Sequence, residues 1–312
     1  MFKRKQAVTT GAVAVCLGKG RVDVVRVSGV KEAQPVLEFF ATEPVEGAES
    51  DTLARLRRKF GLRRANCVTL IGEGDYQLQV MEAPDVPEAE VKDAVRWRLN
   101  EVLDYPAEEA TIDVLSVPGD PASPTRTRSV YAVAARNERV AERMNAFQDA
   151  RLLLDAIDIP EMAQRNIAKL YETPERALAL LYLSAGRGLL TFTSGGELYL
   201  TRGIDIGLDQ VTYAEGDLRQ QLLDRLVLEV QRSLDYFDRQ FSYLTLSKLM
   251  LAPMPDDNGL PDYLSQNLDV PVEQVRLQDT IDVSAVPELL ASKTQADHFM
   301  AIGAALRQEG PQ

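Results

Sequence analysis

The sequence predicts an α/β fold of two similar lobes, with a small α/β subdomain inserted into the first lobe. Three observations support this prediction. Two β-meanders with matching glycine-containing turns lie far apart in the chain. A block of alternating strand and helix patterns separates them, and one long amphipathic helix follows the second meander. Two similar supersecondary units in one chain are typical of a duplicated fold.

The second meander is the clearer of the two. Residues 178–205 contain three short runs rich in Leu, Thr, Phe and Tyr, and glycine-containing turns separate these runs. Glycine adopts the positive φ that tight hairpin turns need, so the pattern predicts three antiparallel strands. Residues 13–29 repeat this plan near the N-terminus. The two first turns correspond, with Gly18, Lys19 and Gly20 matching Gly186, Arg187 and Gly188.

The elements of the first half alternate between strand and helix patterns. The meander of residues 7–43 precedes a short helix and a strand at 66–71. A strand at 75–83 then leads to a helix that starts at Pro87, with Val91, Val95, Leu99 and Val102 as its apolar stripe. Strands at 111–117 and 129–135, a helix from Asn137 carrying Met144, and a strand at 152–157 complete this block.

The second half starts with a helix at 162–170 and the second meander. The longest helix pattern follows at 218–241, with an apolar stripe that begins at Leu218. A strand at 248–251, a helix at 260–268, a strand at 271–277 and a helix at 295–306 end the chain. We therefore predict a first lobe at 1–74, completed by 158–173 and the last helix. The inserted subdomain is predicted at 75–157 and the second lobe at 174–312.

Composition limits the classes of function. The 312 residues are 45% hydrophobic and carry a net charge of −12, which argues against nucleic acid or an anionic membrane as the main partner. Two basic clusters are exceptions, at residues 3–5 and 55–64; the second is either a solvated helix face or a docking patch. The two cysteines lack metal-ligand spacing, and no run is apolar enough to span a membrane. We expect a cytoplasmic protein with no metal site.

Isolated polar residues give no enzymatic pattern. His298 is the only histidine and is predicted on a helix face without a partner for a metal or a catalytic triad. Asp256 and Asp257 are predicted in a solvated turn. Trp97, the only tryptophan, is either at the edge of the core or an exposed anchor for a partner, because tryptophan is enriched at interaction hot spots.

Several segments resemble a known family in their order along the chain. They are residues 83–90 with the helix up to Pro106, the run Gly196 to Arg202, and residues 228–236. Together with the two meanders, they resemble the actin-like ATPase superfamily over roughly residues 8–306. Within it, the chain is most similar to the PilM/MshI group of type IV pilus assembly proteins, and to its MshI branch in particular.

This resemblance implies a degenerate nucleotide site. Active members place an Asp ahead of the first turn of each meander, and here the alignment puts Cys16 and Tyr182 at those positions. Asp23 stands where a Lys is usual, and Ala252-Pro253 replaces the glycine pair under the adenine. We expect no ATP hydrolysis and no bound cofactor. The turns around Gly18–Gly20 and Gly186–Gly188 either hold an anion or are ordinary hairpin turns.

The resemblance also implies a partner. Relatives of this group dock the cytoplasmic N-terminus of a bitopic inner-membrane protein of the PilN/MshJ type, with the assembly ATPase as a further candidate partner. The groove would lie at Tyr76, Leu78, Val80 and Trp97, on a cytoplasmic protein at the inner membrane. Two alternatives are an active ATPase or sugar kinase of the superfamily, and the cytoplasmic part of a type II secretion L-protein.

Overall fold

Two five-stranded sheets with the same strand order form the framework. The computed structural model describes residues 12–18, 20–30, 34–120, 122 and 128–308. The first sheet contains, in spatial order, β3 (Val36–Pro44), β2 (Arg21–Ser28), β1 (Val13–Gly18), β4 (Asn66–Leu70) and β8 (Leu153–Asp158). The second contains β11 (Glu197–Ile204), β10 (Gly188–Ser194), β9 (Arg176–Leu183), β12 (Thr245–Leu251) and β13 (Val272–Gln274). In each sheet an antiparallel meander continues into two parallel strands, which confirms the predicted duplication.

The helices form three layers around these sheets. The outer face of the first sheet is covered by α1 (Glu49–Lys59) and α3 (Asn137–Asp149). The layer between the sheets contains α4 (Pro160–Ala168) and α8 (Ser292–Ala305). The outer face of the second sheet is covered by α5 (Leu208–Tyr213), α6 (Gly216–Gln240) and α7 (Leu260–Asn267). Each amphipathic sheet face is thus buried against helices, as a layered α/β fold requires.

The two central helices cross at a glycine. A Cβ atom on Gly303 of α8 would lie 2.3 Å from the carbonyl oxygen of Ala163 in α4. Asn166 Nδ2 donates a hydrogen bond to Gly303 O at 2.9 Å across the same crossing, and Asn166 is buried. The absence of a side chain at position 303 therefore sets how closely the layers of the two lobes approach.

A third sheet forms the inserted subdomain. Its spatial order is β5 (Tyr76–Glu82), β7 (Ser129–Arg136) and β6 (Ala110–Val117). The helix α2 (Val91–Leu99) packs on one face, where Val95 and Leu99 are fully buried. Val102, predicted in the same stripe, is 51% exposed because the helix ends before it.

The predicted boundary of the subdomain at residue 157 is corrected by the strand pairing. The strand β8, which the sequence assigned to the subdomain, pairs in parallel with β4 of the first sheet. The helix α3 also packs in the first lobe, where Phe147 is fully buried in the core. The Ile71 N–H donates to Asp158 O at 2.9 Å, so the chain leaves the first lobe and returns to it at neighbouring positions.

Other predicted elements differ at their ends. Leu218 is 59% exposed because it lies in the first turn of α6, and the buried stripe of that helix begins at Leu223. Met144 on α3 is also exposed, and the strand predicted at 271–277 is limited to β13. Within the described residues, no helix combines the length and apolar character that crossing a membrane requires.

Candidate functional site

The first hairpin turn connects β1 and β2. Gly18 pairs with Arg21, and Gly20 has a φ of +75°, the left-handed conformation that glycine adopts without strain. Lys19, the predicted cation of this turn, lies outside the described residues. The carbonyl oxygen of Gly20 accepts a hydrogen bond from Val45 N at 2.9 Å, so this turn is also tied to the end of β3.

Cys16 and Tyr182, the two residues that the resemblance aligns with acids of active members, have uncharged side chains. Burial, with a contribution from Asp23, raises the pKa of the Cys16 thiol to about 12. Burial, followed by the charge of Glu73, raises the pKa of the Tyr182 phenol to about 12. The Tyr182 ring stacks on Phe299 of α8 at a centroid distance of 5.6 Å. Neither group is negatively charged at neutral pH, so neither is suited to hold Mg²⁺.

A buried acid network lies beside the first turn. Asp23 is 7% exposed; its carboxylate accepts a hydrogen bond from Thr42 Oγ1 at 2.5 Å and pairs with Arg21 Nε at 3.2 Å. Thr42 Oγ1 also lies 3.0 Å from His298 Nε2. His298, predicted as a helix-face residue, is buried against Phe40 because α8 packs directly on the first sheet. The network therefore holds the Asp23 carboxylate in place through contacts with β2, β3 and, by way of Thr42, α8.

The second hairpin turn satisfies its own polar groups. Ser184 N and Ser184 Oγ both donate to Arg187 O, at 2.8 and 2.9 Å. Leu208 N at the start of α5 donates to Ser184 O at 2.8 Å, and this approach is possible because Gly207 has no side chain. The Arg187 guanidinium lies against Gly203, with Nε 3.8 Å from Asp205 Oδ1.

The other predicted polar positions are structural or solvated. Ala252 is buried and donates its N–H to Leu181 O at 2.8 Å, and Pro253 follows it without an N–H of its own. Asp256 and Asp257 are exposed as expected, and Asp257 accepts a hydrogen bond from Gly259 N. Within the described ranges, no group of three or more His, Cys, Asp or Glu side chains is arranged to hold a metal ion.

A pocket lies where the subdomain meets both lobes, and we call it the junction pocket. Its volume is about 230 Å³. Six of the residues that line it are Glu73, Tyr76, Leu78, Glu161, Arg187 and Thr201. The pocket brings two residues of the predicted partner strand together with Arg187 of the second predicted turn. Gly188 also lines it, whereas Gly18 and Gly20 do not.

A buried hydrogen bond closes one side of the junction pocket. The phenol of Tyr76 on β5 donates to Glu161 Oε2 at the start of α4, at 2.6 Å. Burial raises the pKa of the Glu161 carboxyl, and the bond from Tyr76 partly opposes that shift. Burial, followed by the charge of Glu161, raises the pKa of Tyr76. The bond therefore links the subdomain to the helix layer between the lobes.

Glu161 is not among the site residues that the sequence predicts. The pair Pro160-Glu161 is typical of an ordinary helix start, where proline and an acid are both favoured, so the pattern gave no functional signal. Only the packing of β5 against α4 shows that this carboxylate is buried beneath the subdomain.

The strand β5 has an open edge. It pairs with β7 on one side and with no other strand in the described part of the chain. Tyr76 and Leu78 pack toward Ile71 and Ile159 of the first lobe. Val80, which points to the same side two residues further along, is 60% exposed.

Trp97 is separated from these strand residues. Its side chain is 78% exposed on the outer side of α2, so the core-edge alternative is wrong. The helix covers the face of the sheet to which Met81 points, and Tyr76 and Leu78 point to the opposite face. The structure thus brings Tyr76, Leu78 and Val80 together but leaves Trp97 on another surface.

Another cavity lies away from all of these positions. Its volume is about 760 Å³, and it is formed near the C-terminal ends of α4 and α8. Arg165, Lys169 and Asp279 are among its lining residues, so charges of both signs face it. None of the predicted site residues that the structure describes lines it.

Comparisons with known proteins find solved structures that are similar to this chain. A structure described as the PilM-PilN type IV pilus biogenesis complex matches with a TM-score of 0.74 at 22% identity, covering 96% of this chain and 98% of that one. The cytoplasmic domain of EpsL, an inner-membrane component of the type II secretion system of Vibrio cholerae, matches with a TM-score of 0.47 at 13% identity, covering 78% and 82%. EutJ from Carboxydothermus hydrogenoformans matches with a TM-score of 0.47 at 10% identity, covering 95% and 89%.

The fold and the family follow from these matches. The duplicated two-lobed α/β architecture, which the sequence predicted, is shared with the PilM-PilN structure. No curated protein sequence matches the chain. The family model for the type IV pilus assembly protein PilM matches residues 16–214, more than half of the chain. This chain therefore belongs to the PilM family of type IV pilus assembly proteins.

Proposed function

We propose that this protein is a scaffold of type IV pilus assembly that binds the cytoplasmic N-terminus of a PilN-like inner-membrane protein and does not hydrolyse ATP. The observation that carries the proposal is the open edge of β5, with the exposed Val80 and the adjoining junction pocket. Support also comes from the family membership and from the matching structure, which is a PilM-PilN complex.

An open strand edge suits an extended peptide. Its unpaired backbone N–H and C=O groups form hydrogen bonds with an added strand, and nearby apolar side chains select the sequence of that strand. Val80 offers such an apolar contact, and Leu78, two residues earlier on the same side of the strand, lines the junction pocket. A peptide on this edge would contact the subdomain without reaching Trp97 on the outer side of α2.

The altered nucleotide positions support a scaffold rather than an enzyme. Cys16 and Tyr182 are uncharged at neutral pH, and the buried Asp23 adds a negative charge close to where phosphate would bind. Pro253 supplies no N–H where relatives are expected to have a glycine pair. We infer that no nucleotide cofactor is needed for the folded scaffold.

We further propose that the protein belongs to the MshI branch of the family, which serves mannose-sensitive haemagglutinin pili; the altered nucleotide positions support this assignment. In this assignment it acts at the cytoplasmic side of the inner membrane. The partner there is the MshJ counterpart of PilN, and the scaffold links it to the assembly ATPase.

A titration with a synthetic peptide tests the proposal. The probe is a synthetic peptide with the first 20 or so residues of a PilN-like protein from the same organism, and calorimetry measures its dissociation constant. The Val80→Lys variant should bind about tenfold more weakly, which corresponds to about 1.4 kcal/mol. A lysine there removes an apolar contact at the edge of the proposed groove.

Leu218→Lys is the matched control. Leu218 is 59% exposed, close to the 60% of Val80, but lies on α6 of the second lobe. Its variant should bind the peptide with unchanged affinity. The proposal would be contradicted if the unaltered protein failed to bind the peptide, or if both variants lost affinity equally.

A further inference from the structure

Four exposed arginines lie at one edge of the first sheet. Arg58 is in the last turn of α1, Arg63 and Arg64 are in the loop before β4, and Arg151 is in the loop before β8. We call these four residues the basic edge. The loops meet because β4 and β8 run in parallel and both begin at this edge.

The packing beneath the basic edge confirms that its loops adjoin. Asn66 at the start of β4 pairs with Leu153 at the start of β8, and each loop arginine nearest the sheet precedes its strand by two residues. Leu62 and Leu152, which flank the exposed arginines, belong to one buried cluster. Arg151 therefore lies close to Arg63 and Arg64 in space, although it is distant from them in the sequence.

These charges are not neutralised by ion pairs. Within the part of the chain that the structure describes, none of the four arginines lies within 4.0 Å of a carboxylate oxygen. Arg58 Nε donates to Ala54 O within its own helix, and Asp149 and Asp155 are the exposed acids nearest in sequence to Arg151. Leu153 is 55% exposed at the same edge, so an apolar side chain accompanies the cations.

We propose that the basic edge binds the anionic headgroups of a lipid bilayer. Guanidinium groups form paired hydrogen bonds with phosphate oxygens, and an exposed leucine beside them can enter the interface. The net charge of −12 does not prevent this contact, because charges more than about 10 Å away are screened at physiological salt. The contact is weak, and it concerns a surface separate from the proposed peptide groove.

A lipid surface fits these observations better than an acidic protein. The arginines project from two loops and a helix end along an edge, and they line none of the three described pockets. The peptide groove lies toward the other ends of β4 and β8, near Ile71 and Ile159. Strands of five or six residues place it roughly 20 Å from the basic edge, so a bound partner needs about six extended residues to reach the bilayer.

Vesicle flotation of the full chain tests this inference. One set of vesicles contains phosphatidylcholine with 30% or so phosphatidylglycerol, and the other contains phosphatidylcholine alone. The protein should float with the anionic vesicles at low salt, and it should not float with the neutral ones. Each basic residue near an anionic surface changes the partition coefficient about fivefold, so Arg63→Gln with Arg64→Gln should lower it about 25-fold.

The control replaces Arg225 and Arg239 with Gln. Both are exposed arginines on α6, in the second lobe, and this variant should float like the unaltered protein. Urea unfolding confirms that both double variants are folded. The inference is overturned if the unaltered protein does not float with anionic vesicles, or if the two double variants lose binding equally. Neither result affects the peptide titration, which contains no lipid.

Discussion

The hydrogen bond between Tyr76 and Glu161 should contribute measurably to the free energy of unfolding. Replacing Tyr76 with Phe removes a donor 2.6 Å from a buried carboxylate and leaves the rest of the ring in place. Hydrogen bonds to charged groups contribute about 1.5–3 kcal/mol to folding, so we expect Tyr76→Phe to lower the free energy of unfolding by about that amount at pH 7.5.

The size of this loss should depend on pH. Burial raises the pKa of Glu161 above its ordinary value of 4.5, so the folded state binds more protons than the unfolded state between that value and the raised pKa. Stability from this group therefore falls as pH rises through that window. The hydrogen bond from Tyr76 opposes the rise in the Glu161 pKa, so removing the Tyr76 hydroxyl makes the free energy of unfolding fall more steeply with pH. Near pH 5 the carboxyl is more protonated, and the loss should shrink to about 0.5–1.5 kcal/mol.

Urea unfolding of the full chain at both pH values measures this difference. Tyr171→Phe is the matched control, because the Tyr171 phenol donates to the carbonyl oxygen of Arg276 at 2.7 Å and that acceptor does not titrate. Its effect should be the same at both pH values. A Tyr76→Phe loss that is equal at pH 5 and pH 7.5, or larger at pH 5, would refute the reasoning.

Three further predictions follow from other parts of the structure. Gly303→Ala should lower the free energy of unfolding by about 1–3 kcal/mol, because its Cβ would meet Ala163 O. Gly119→Ala should leave the free energy of unfolding unchanged, because no atom lies within 4 Å of the added Cβ. Equal urea midpoints for the two variants would contradict this prediction. Trp97→Ala should change stability by less than about 0.5 kcal/mol, since the ring is exposed; a larger loss would show that the ring is packed. Calorimetry with ATP and Mg²⁺ should give no dissociation constant at or below about 10 μM, about −7 kcal/mol, and tighter binding would show a working nucleotide site.

The two sheets and their covering helices could be predicted from the sequence, because the spacing of apolar residues shows which face of each strand or helix is buried. The alternating meanders and the long stripe of α6 gave the two lobes, since each pattern needs a partner face. The ends of the helices are predicted less accurately. Leu218 and Val102 match the stripes by spacing but fall in the first turn of α6 and beyond the end of α2, where no second layer covers them.

Long-range packing explains what the sequence could not supply. The assignment of β8 to the first sheet depends on its pairing with β4, more than 80 residues earlier. The burial of His298 depends on Thr42 and Phe40 from β3. Likewise, strand alternation could not show that α2 lies on the face of the sheet opposite Tyr76 and Leu78, which separates Trp97 from them.

Hydrogen exchange along β5 tests the central claim most directly. The backbone amides of β5 should become more protected when the PilN-like peptide is added, because an added strand pairs with this edge. Amides of α2 around Trp97 and of α6 should exchange at unchanged rates and serve as internal references. A bound peptide that leaves β5 exchange unchanged, and protects α2 or the second lobe instead, would contradict docking at this edge.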